Sequence, residues 1–125
     1  MKITCLLENT ASRSDVTPEH GLSLWIETKR HRILFDTGQT DLFAKNADVL
    51  QIDLSKADFA VLSHGHYDHG GGLFTFLSKN KTAPVFTSGA ISFYLVCLGE
   101  CYEKHFCLPK GKSPGSCQPF PSTAI

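Results

Sequence analysis

The sequence predicts an α/β (α+β) fold, a mixed sheet with flanking helices, from two observations. The chain begins with short runs of β-forming residues. Further along, single predicted strands alternate with segments whose apolar residues have helical spacing. The order is three strands, a helix, a strand, a loop, a helix and a strand, so the sheet should begin antiparallel. With 125 residues, 42 % of them hydrophobic, the chain suits one domain with a core.

The first three elements are predicted strands. KITCLLEN at 2–9 is rich in β-forming residues, and the polar stretch at 10–21 contains the Pro and Gly typical of a loop. LSLWIET at 22–28 alternates leucine and isoleucine with other residues, which predicts a strand with one buried face. RILFD at 32–36 follows a charged turn, so we expect these two strands to form a hairpin.

A helix and a buried strand should follow. Thr40 is the predicted N-cap of the helix. The apolar face of this helix would consist of Leu42, Phe43, Val49 and Leu50. DLSKAD at 53–58 is predicted as a connector, and the apolar run FAVLS at 59–63 has the length and bounds of a buried strand.

The last predicted elements follow a triple glycine, which lets backbone segments approach closely. Leu73, Phe76 and Leu77 have helical spacing, with Asn80 near the C-terminus of the helix. APVFTS at 83–88 is predicted as a further strand, which would return the chain to the sheet.

The composition changes after about residue 88. We therefore divide the chain into a partial domain at 1–88 and a divergent or irregular tail at 89–125, where Pro, Gly and Ser are frequent. The spacings of the cysteines in this tail differ from the C-x2-C of a zinc knuckle, and their role stays open. These cysteines are Cys97, Cys101, Cys107 and Cys117.

The segment LSHGHYDHGGGL carries the residues with the clearest chemical function. It holds half of the chain's six histidines, directly after a predicted strand. His64 and His66 are two apart in an extended segment and can face one point, and a turn after Tyr67 would bring Asp68 and His69 towards a neighbouring point. Imidazole and carboxylate groups suit zinc and iron, so the segment predicts two adjacent metal positions.

This pattern resembles a family motif. His64-x-His66-x-Asp68-His69 is similar to the H-x-H-x-D-H motif of the metallo-β-lactamase superfamily, and ILFDTG resembles the earlier strand of that family, which ends in an Asp turn. The longer pattern EHGLSLWIE…ILFDTG…VLSHGHYDHGGGL looks like the branch that includes dihydropterin ribofuranosylaminobenzene phosphate synthases. The resemblance covers about residues 2–88 and implies the N-terminal half of an αβ/βα sandwich.

Carried over position by position, the resemblance implies a dinuclear site. His64 and His66 would bind the first metal. Asp68 and His69 would bind the second, and Asp68 would also be the catalytic residue that orients the attacking water. Asp36 would support the metal loop by hydrogen bonding, with a plain turn residue as the alternative. The implied cofactor is Zn2+, two ions per complete site, with iron or manganese as alternatives.

The implied function is that of a metal-dependent hydrolase, in which metal-activated hydroxide attacks an ester or phosphoester-like small-molecule substrate. Two alternatives stay open: a non-catalytic metal-binding or interaction module, and a di-iron redox relative. His20 is interpreted either as a residue at the substrate mouth or as a loop residue. His31 and Trp25 are predicted to be a turn residue and a sheet residue.

The family fold has two similar halves, and the later half supplies further ligands. His105 lacks the surrounding pattern of such a ligand, and Glu100 and Glu103 are no candidates for a bridging acid. We therefore expect a truncated product, with a shifted reading frame as one origin and a short domain with a divergent tail as the alternative. Half a sandwich would leave one sheet face uncovered, which is either an aggregation liability or the surface of a homodimer.

Charge and hydropathy exclude several classes of partner. Twelve basic residues balance twelve acidic residues, so no nucleic-acid partner is expected. No apolar stretch is long enough to span a membrane, and the N-terminus does not resemble a signal peptide. These observations predict a cytoplasmic protein without a membrane partner.

Overall fold

A five-stranded mixed sheet forms the centre of the computed structural model, which describes residues 1–87. Its strands are β1 (Lys2–Leu7), β2 (Ser23–Glu27), β3 (Arg32–Phe35), β4 (Phe59–Leu62) and β5 (Val85–Thr87). They lie in chain order, antiparallel from β1 to β3 and parallel from β3 to β5. The predicted mixed sheet and hairpin are confirmed, whereas the tail predicted at 89–125 lies outside the described residues.

Helices connect the parallel strands, because parallel neighbours need a crossover. The helices are α1 (Leu42–Val49), α2 (Tyr67–Gly70) and α3 (Leu73–Lys79), with one 3-10 turn at Leu54–Lys56. Asn80 is the C-cap of α3 and is buried. Its side-chain amide satisfies its hydrogen bonds there by donating to three carbonyl groups near the 3-10 turn. Within residues 1–87, no helix is long and apolar enough to cross a membrane.

The core lies between one face of the sheet and the helices. Phe43 of α1 and Phe76 of α3 are fully buried, in one cluster with Trp25, Leu34 and Leu62 of the sheet. The face of β2 that points into the core is therefore the face of Trp25, and the leucine and isoleucine of this strand lie on the other face. The leucine and isoleucine pattern therefore predicted the wrong buried face, because Ser23 and Trp25 point into the core while Leu24 and Ile26 are only half-buried.

Two predictions for α1 are wrong. Its N-cap is Asp41 rather than Thr40, although the Thr40 hydroxyl accepts a hydrogen bond from the Leu42 amide at 3.2 Å. Val49 is 45 % exposed and does not belong to the buried face. Asn46 belongs to it instead, because its amide group donates to two backbone carbonyls at 2.8 and 2.9 Å and so satisfies its hydrogen bonds in the core. The buried residues of α1 are Phe43, Ala44, Asn46 and Ala47.

The opposite face of the sheet is also apolar. The strand register brings one set of apolar side chains together there, all of them half-buried or exposed. They are Ile3, Leu24, Ile26, Ile33, Phe35, Phe59, Val61 and Phe86. Ile3 and Phe86, on the two edge strands, are 54 % and 52 % exposed. The homodimer expected through this face stays a prediction.

Candidate metal centre

Three histidines of the predicted motif lie together after the end of β4. The ring centroids of His64 and His66 are 4.6 Å apart, and those of His64 and His69 are 4.1 Å apart. The turn predicted after Tyr67 is the single-turn helix α2, whose N-cap is His66. The carbonyl of His66 accepts hydrogen bonds from the amides of His69 and Gly70 at 3.1 and 3.0 Å, and this turn carries His69 back towards His64.

Asp36 contacts this loop from the end of β3. Its side chain is fully buried, and its carboxylate accepts three hydrogen bonds. Ser63 N donates to Oδ1 at 2.8 Å, while Ser63 Oγ and His69 Nδ1 contact Oδ2 at 2.7 and 2.8 Å. The backbone of Asp36 is left-handed, with a φ of 56°, which Asp tolerates better than most residues. Its amide donates to Val61 O at 2.9 Å, which continues the pairing of β3 and β4 up to the site.

The hydrogen bonds of Asp36 determine which nitrogen of two imidazoles is free. An ionised carboxylate only accepts, so His69 Nδ1 donates its proton to Asp36. The Ser63 hydroxyl has a single hydrogen, which it donates to Asp36, and it therefore accepts from His64 Nδ1, 2.8 Å away. In the neutral rings, Nε2 of both histidines then has a free lone pair, the form in which imidazole binds a metal.

Backbone contacts hold α2 against the turn that follows β3. Thr37 donates from its amide and from its hydroxyl to the carbonyl of His69, at 2.7 and 3.2 Å. The amide of Gly72 donates to the carbonyl of Gly38 at 3.1 Å, and a Cβ atom on Gly72 would lie 2.3 Å from the carbonyl oxygen of Thr37. Glycine at this position is therefore required for the close approach of the two segments.

Asp68 lies between two imidazoles. Its Oδ2 atom is 3.5 Å from His69 Nε2 and 3.4 Å from His20 Nε2. The Asp68 and His69 side chains are only 15 % and 20 % exposed, whereas that of His20 is 69 % exposed. His20 therefore lies at the open edge of the candidate site and not in a remote loop.

Two residues of the site escaped the sequence analysis. Ser63 bridges Asp36 and His64, and the available signal was its position at a strand end, directly before the first histidine. Asn9 Oδ1 lies 3.1 Å from His20 Nδ1. Nothing in the local sequence indicated this contact, because these two residues meet only through the folding of the intervening loop.

The donor chemistry of the site fits a metal such as zinc or iron. His64 and His69 present free Nε2 atoms, and Asp68 adds a carboxylate. Within residues 1–87, however, no group of three or more His, Cys, Asp or Glu side chains is already arranged to hold a metal ion. The structure thus brings donors and their hydrogen-bonding supports together without a closed coordination shell.

The comparison with protein families decides the class of this fold. The family model described as the metallo-beta-lactamase superfamily matches residues 16–117. The chain belongs to the metallo-beta-lactamase superfamily. The match includes the motif at His64 and extends into the segment predicted as a tail. The resemblance to this superfamily that the sequence analysis described is therefore confirmed.

Curated relatives of this superfamily member are matched over only part of their own length. A 7,8-dihydropterin-6-methyl-4-(beta-D-ribofuranosyl)-aminobenzene-5'-phosphate synthase of Methanocaldococcus jannaschii is 39 % identical over 93 residues, which is 69 % of this chain and 32 % of that protein. An uncharacterised protein of the same organism is 42 % identical over 71 residues, or 57 % of this chain and 27 % of that protein. The chain spans about a third or less of the length of these relatives.

Solved structures agree on the fold. Tm1679, described as a metal-dependent hydrolase of the beta-lactamase superfamily, is 41 % identical with a TM-score of 0.50, over 58 % of this chain and 26 % of that chain. A metallo-beta-lactamase of Cronobacter sakazakii has a TM-score of 0.56 at 24 % identity, over 68 % of this chain and 32 % of that chain, and supports the fold alone. The fold class predicted from the sequence is confirmed by these superfamily neighbours.

Proposed function

We propose that this chain carries the first part of the active site of a dinuclear zinc hydrolase, which attacks an ester or phosphoester bond of a small-molecule substrate. Superfamily membership and the similarity to Tm1679 support the reaction class. The observation that carries the proposal is the contact of 2.8 Å between Asp36 Oδ2 and His69 Nδ1. A carboxylate behind a metal-binding imidazole fixes the tautomer of the ring and raises its basicity as a ligand.

The residues have distinct roles in this proposal. His64 and His66 hold the first metal, and Asp68 and His69 hold the second. When bound, the two ions supply Lewis acidity, which lowers the pKa of a water and polarises the substrate bond. Asp68 orients that water by accepting a hydrogen bond at its partly exposed carboxylate. Asp36 keeps His69 in the tautomer whose Nε2 is free.

Ligands from outside the motif are part of the proposal. A catalytic zinc usually has three protein ligands and a water, and the motif supplies two ligands for each metal. The chain spans about a third or less of the length of its curated relatives. Full activity is therefore proposed for the site with the additional ligands in place, and weaker metal binding and turnover are expected from the motif alone.

The test combines metal content with turnover. In protein purified without chelator, we expect bound metal by inductively coupled plasma mass spectrometry and measurable hydrolysis of nitrophenyl ester or nitrophenyl phosphodiester probes. Asp68→Ala should abolish turnover. His31→Ala is the matched control, because His31 also lies beside an acid, 3.9 Å from Asp58, but in the turn of the β2–β3 hairpin at the other end of the sheet.

Three outcomes separate the alternatives. Folded protein that binds no metal would contradict every metal-based function. Bound metal without turnover on either probe would favour the non-catalytic metal-binding module. Bound iron with a visible absorption band would favour the redox relative.

A further inference from the structure

We propose that the outer edge of β1 is a docking site for an extended peptide, which adds to the sheet as a further strand. β1 is an edge strand of the sheet that residues 1–87 form. A groove of about 600 Å3, called the β1 groove, runs along this edge, and its lining includes Ile3, Cys5, Val16, Leu22 and Leu50. Typical ligand sites have volumes of about 300–1,000 Å3. No residue of the candidate metal centre lines the groove, so the inference is independent of the proposed function.

The pairing of β2 with β3 shows which main-chain groups of β2 face β1. In an antiparallel pair, the amide and carbonyl groups of successive residues point to opposite sides of the strand. Thr28 N donates to His31 O at 2.8 Å where the β2–β3 hairpin turns, so Thr28 bonds towards β3. By alternation Ile26 also bonds towards β3, whereas Trp25 directs its amide and carbonyl towards β1.

The same alternation identifies the groups on the outer edge of β1. Thr4 is opposite Trp25, so the main-chain groups of Thr4 pair with β2. Its neighbours Ile3 and Cys5 therefore direct their amides and carbonyls away from β2 and into the β1 groove. Among residues 1–87, no partner outside the sheet bonds to these four groups. They are two donors and two acceptors in the positions that an added strand would use.

A side-chain amide already bonds to the carbonyl that follows this open segment. Asn46 Nδ2 donates to Leu6 O at 2.8 Å and to Thr17 O at 2.9 Å. An asparagine side chain ends in the same amide group as a peptide, so this contact imitates one hydrogen bond of an added strand. Ile3 and Cys5, about 7 Å apart as alternate residues of a strand, lack such a donor.

The lining of the β1 groove favours a peptide over a small polar ligand. Val16, Leu22 and Leu50 contribute apolar side chains, and the strand edge contributes main-chain donors and acceptors. Strand addition uses both, because main-chain hydrogen bonds provide affinity and pockets for alternate side chains provide specificity. The β1 strand of a second copy lies behind the same loop in its own groove, so a single peptide chain reaches this edge more readily.

The alternative interpretation is an edge that is protected against pairing. Lysine side chains and β-bulges commonly protect edge strands, and β1 has both. Lys2 Nζ, however, lies 3.5 Å from Glu27 of β2, and the bulge lies between Cys5 and Leu7. The segment from Ile3 to Cys5 therefore has regular pairing on one side and an open edge on the other, which favours docking.

The test measures peptide binding by the full chain in the presence of chelator. The probe is a fluorescein-labelled octapeptide of alternating valine and threonine with terminal lysines, followed by fluorescence anisotropy. The same peptide with N-methylated amides keeps its side chains but cannot donate to Ile3 O and Cys5 O. Loss of one such hydrogen bond weakens binding about fivefold, so the methylated peptide should bind about 25-fold more weakly.

Variants of the β1 groove locate the binding site. Cys5→Pro removes an amide hydrogen that faces the outer edge, where a sheet tolerates proline, and should weaken peptide binding at least about fivefold. Val16→Asp places a charge in the apolar lining and should weaken binding to a similar extent, also if Cys5→Pro does not fold. Val49→Asp is the matched control, because Val49 is an exposed residue of α1 outside the groove. Trp25 fluorescence reports the folding of each variant.

Each of three outcomes overturns the inference. The first is a parent that binds both peptides equally or binds neither. The second is binding that Phe86→Asp abolishes while Cys5→Pro and Val16→Asp keep it, since the peptide then lies on the apolar sheet face. The third is a parent dimer in sedimentation velocity that Cys5→Pro converts to monomer, since the occupant is then a second copy. Chelator is present throughout, so none of these outcomes bears on the proposed function.

Discussion

Replacement of Asp36 by asparagine tests the network that supports the candidate site. An asparagine side chain has the same shape and tolerates the left-handed backbone of this residue, so no strain is added. With its oxygen at the Oδ1 position, the new side chain would keep the bond from Ser63 N but present an NH2 group where Oδ2 of Asp36 accepts from Ser63 Oγ and His69 Nδ1. Two hydrogen bonds to a buried charged group are then replaced by weaker bonds donated by a neutral amide group, at a cost of about 1.5 kcal/mol each.

The expected loss in free energy of unfolding is therefore about 3 kcal/mol. In urea, with an m-value of about 1.5 kcal/mol/M, this lowers the unfolding midpoint by about 2 M. The fluorescence of Trp25 reports the transition, because this residue is the single tryptophan of the chain and is 3 % exposed. Chelator in every sample keeps bound metal from contributing to the measured stability.

The same substitution has a chemical readout. The new amide group donates to His69 Nδ1, which moves the ring proton to Nε2 and blocks the atom that faces Asp68. We expect this tautomer change in nitrogen NMR spectra and a loss of Zn2+ affinity of about 10- to 100-fold.

Asp53→Asn is the matched control for both measurements. Asp53 accepts a hydrogen bond from Ser55 N at the start of the 3-10 turn, where asparagine is as good a cap as aspartate, so its effect should stay below about 0.5 kcal/mol. An Asp36→Asn variant with the midpoint and Zn2+ affinity of the parent would refute the reasoning.

Three further substitutions give separate tests. Gly21→Ala should destabilise the fold by more than about 1 kcal/mol and weaken metal binding, because its Cβ would collide with Asp68 O; urea titration and Zn2+ competition measure both effects. Asn80→Ala should lower the free energy of unfolding by about 2–3 kcal/mol, because it leaves buried carbonyls without a donor; unchanged unfolding contradicts this. Phe86→Asp should convert a homodimer to monomer in sedimentation velocity, and a parent that is monomeric refutes the dimer.

The strands could be predicted because their signals are local. FAVLS, predicted at 59–63, is observed at Phe59–Leu62, and the hairpin of β2 and β3 has the predicted order. The errors occur where tertiary contacts override local preference. Asn46 is buried because carbonyls from distant segments accept its amide hydrogens, and Val49, although apolar, is exposed because α1 presents another face to the core.

The residues of the candidate site also differ in whether local sequence signals could predict them. His64, His66, Asp68 and His69 lie within six positions, so the sequence alone indicates that they act together. Asp36 was inferred from a family resemblance and not from spacing. The contacts of Ser63 with Asp36 and of Asn9 with His20 join segments that are 27 and 11 residues apart, and no periodicity indicates them.

The location of the site at a sheet edge explains how the residues that support its metal-binding histidines by hydrogen bonding come together. Asp36 and Ser63 directly follow β3 and β4, which are parallel neighbours, so both strands end at the same edge of the sheet. The amide of Asp36 pairs with Val61 O, and its carboxylate caps the amide of Ser63, which fixes the loop before its first histidine. Strand pairing places Asp36 and Ser63 side by side, and their side chains then orient His64 and His69, so the metal affinity should depend steeply on Asp36.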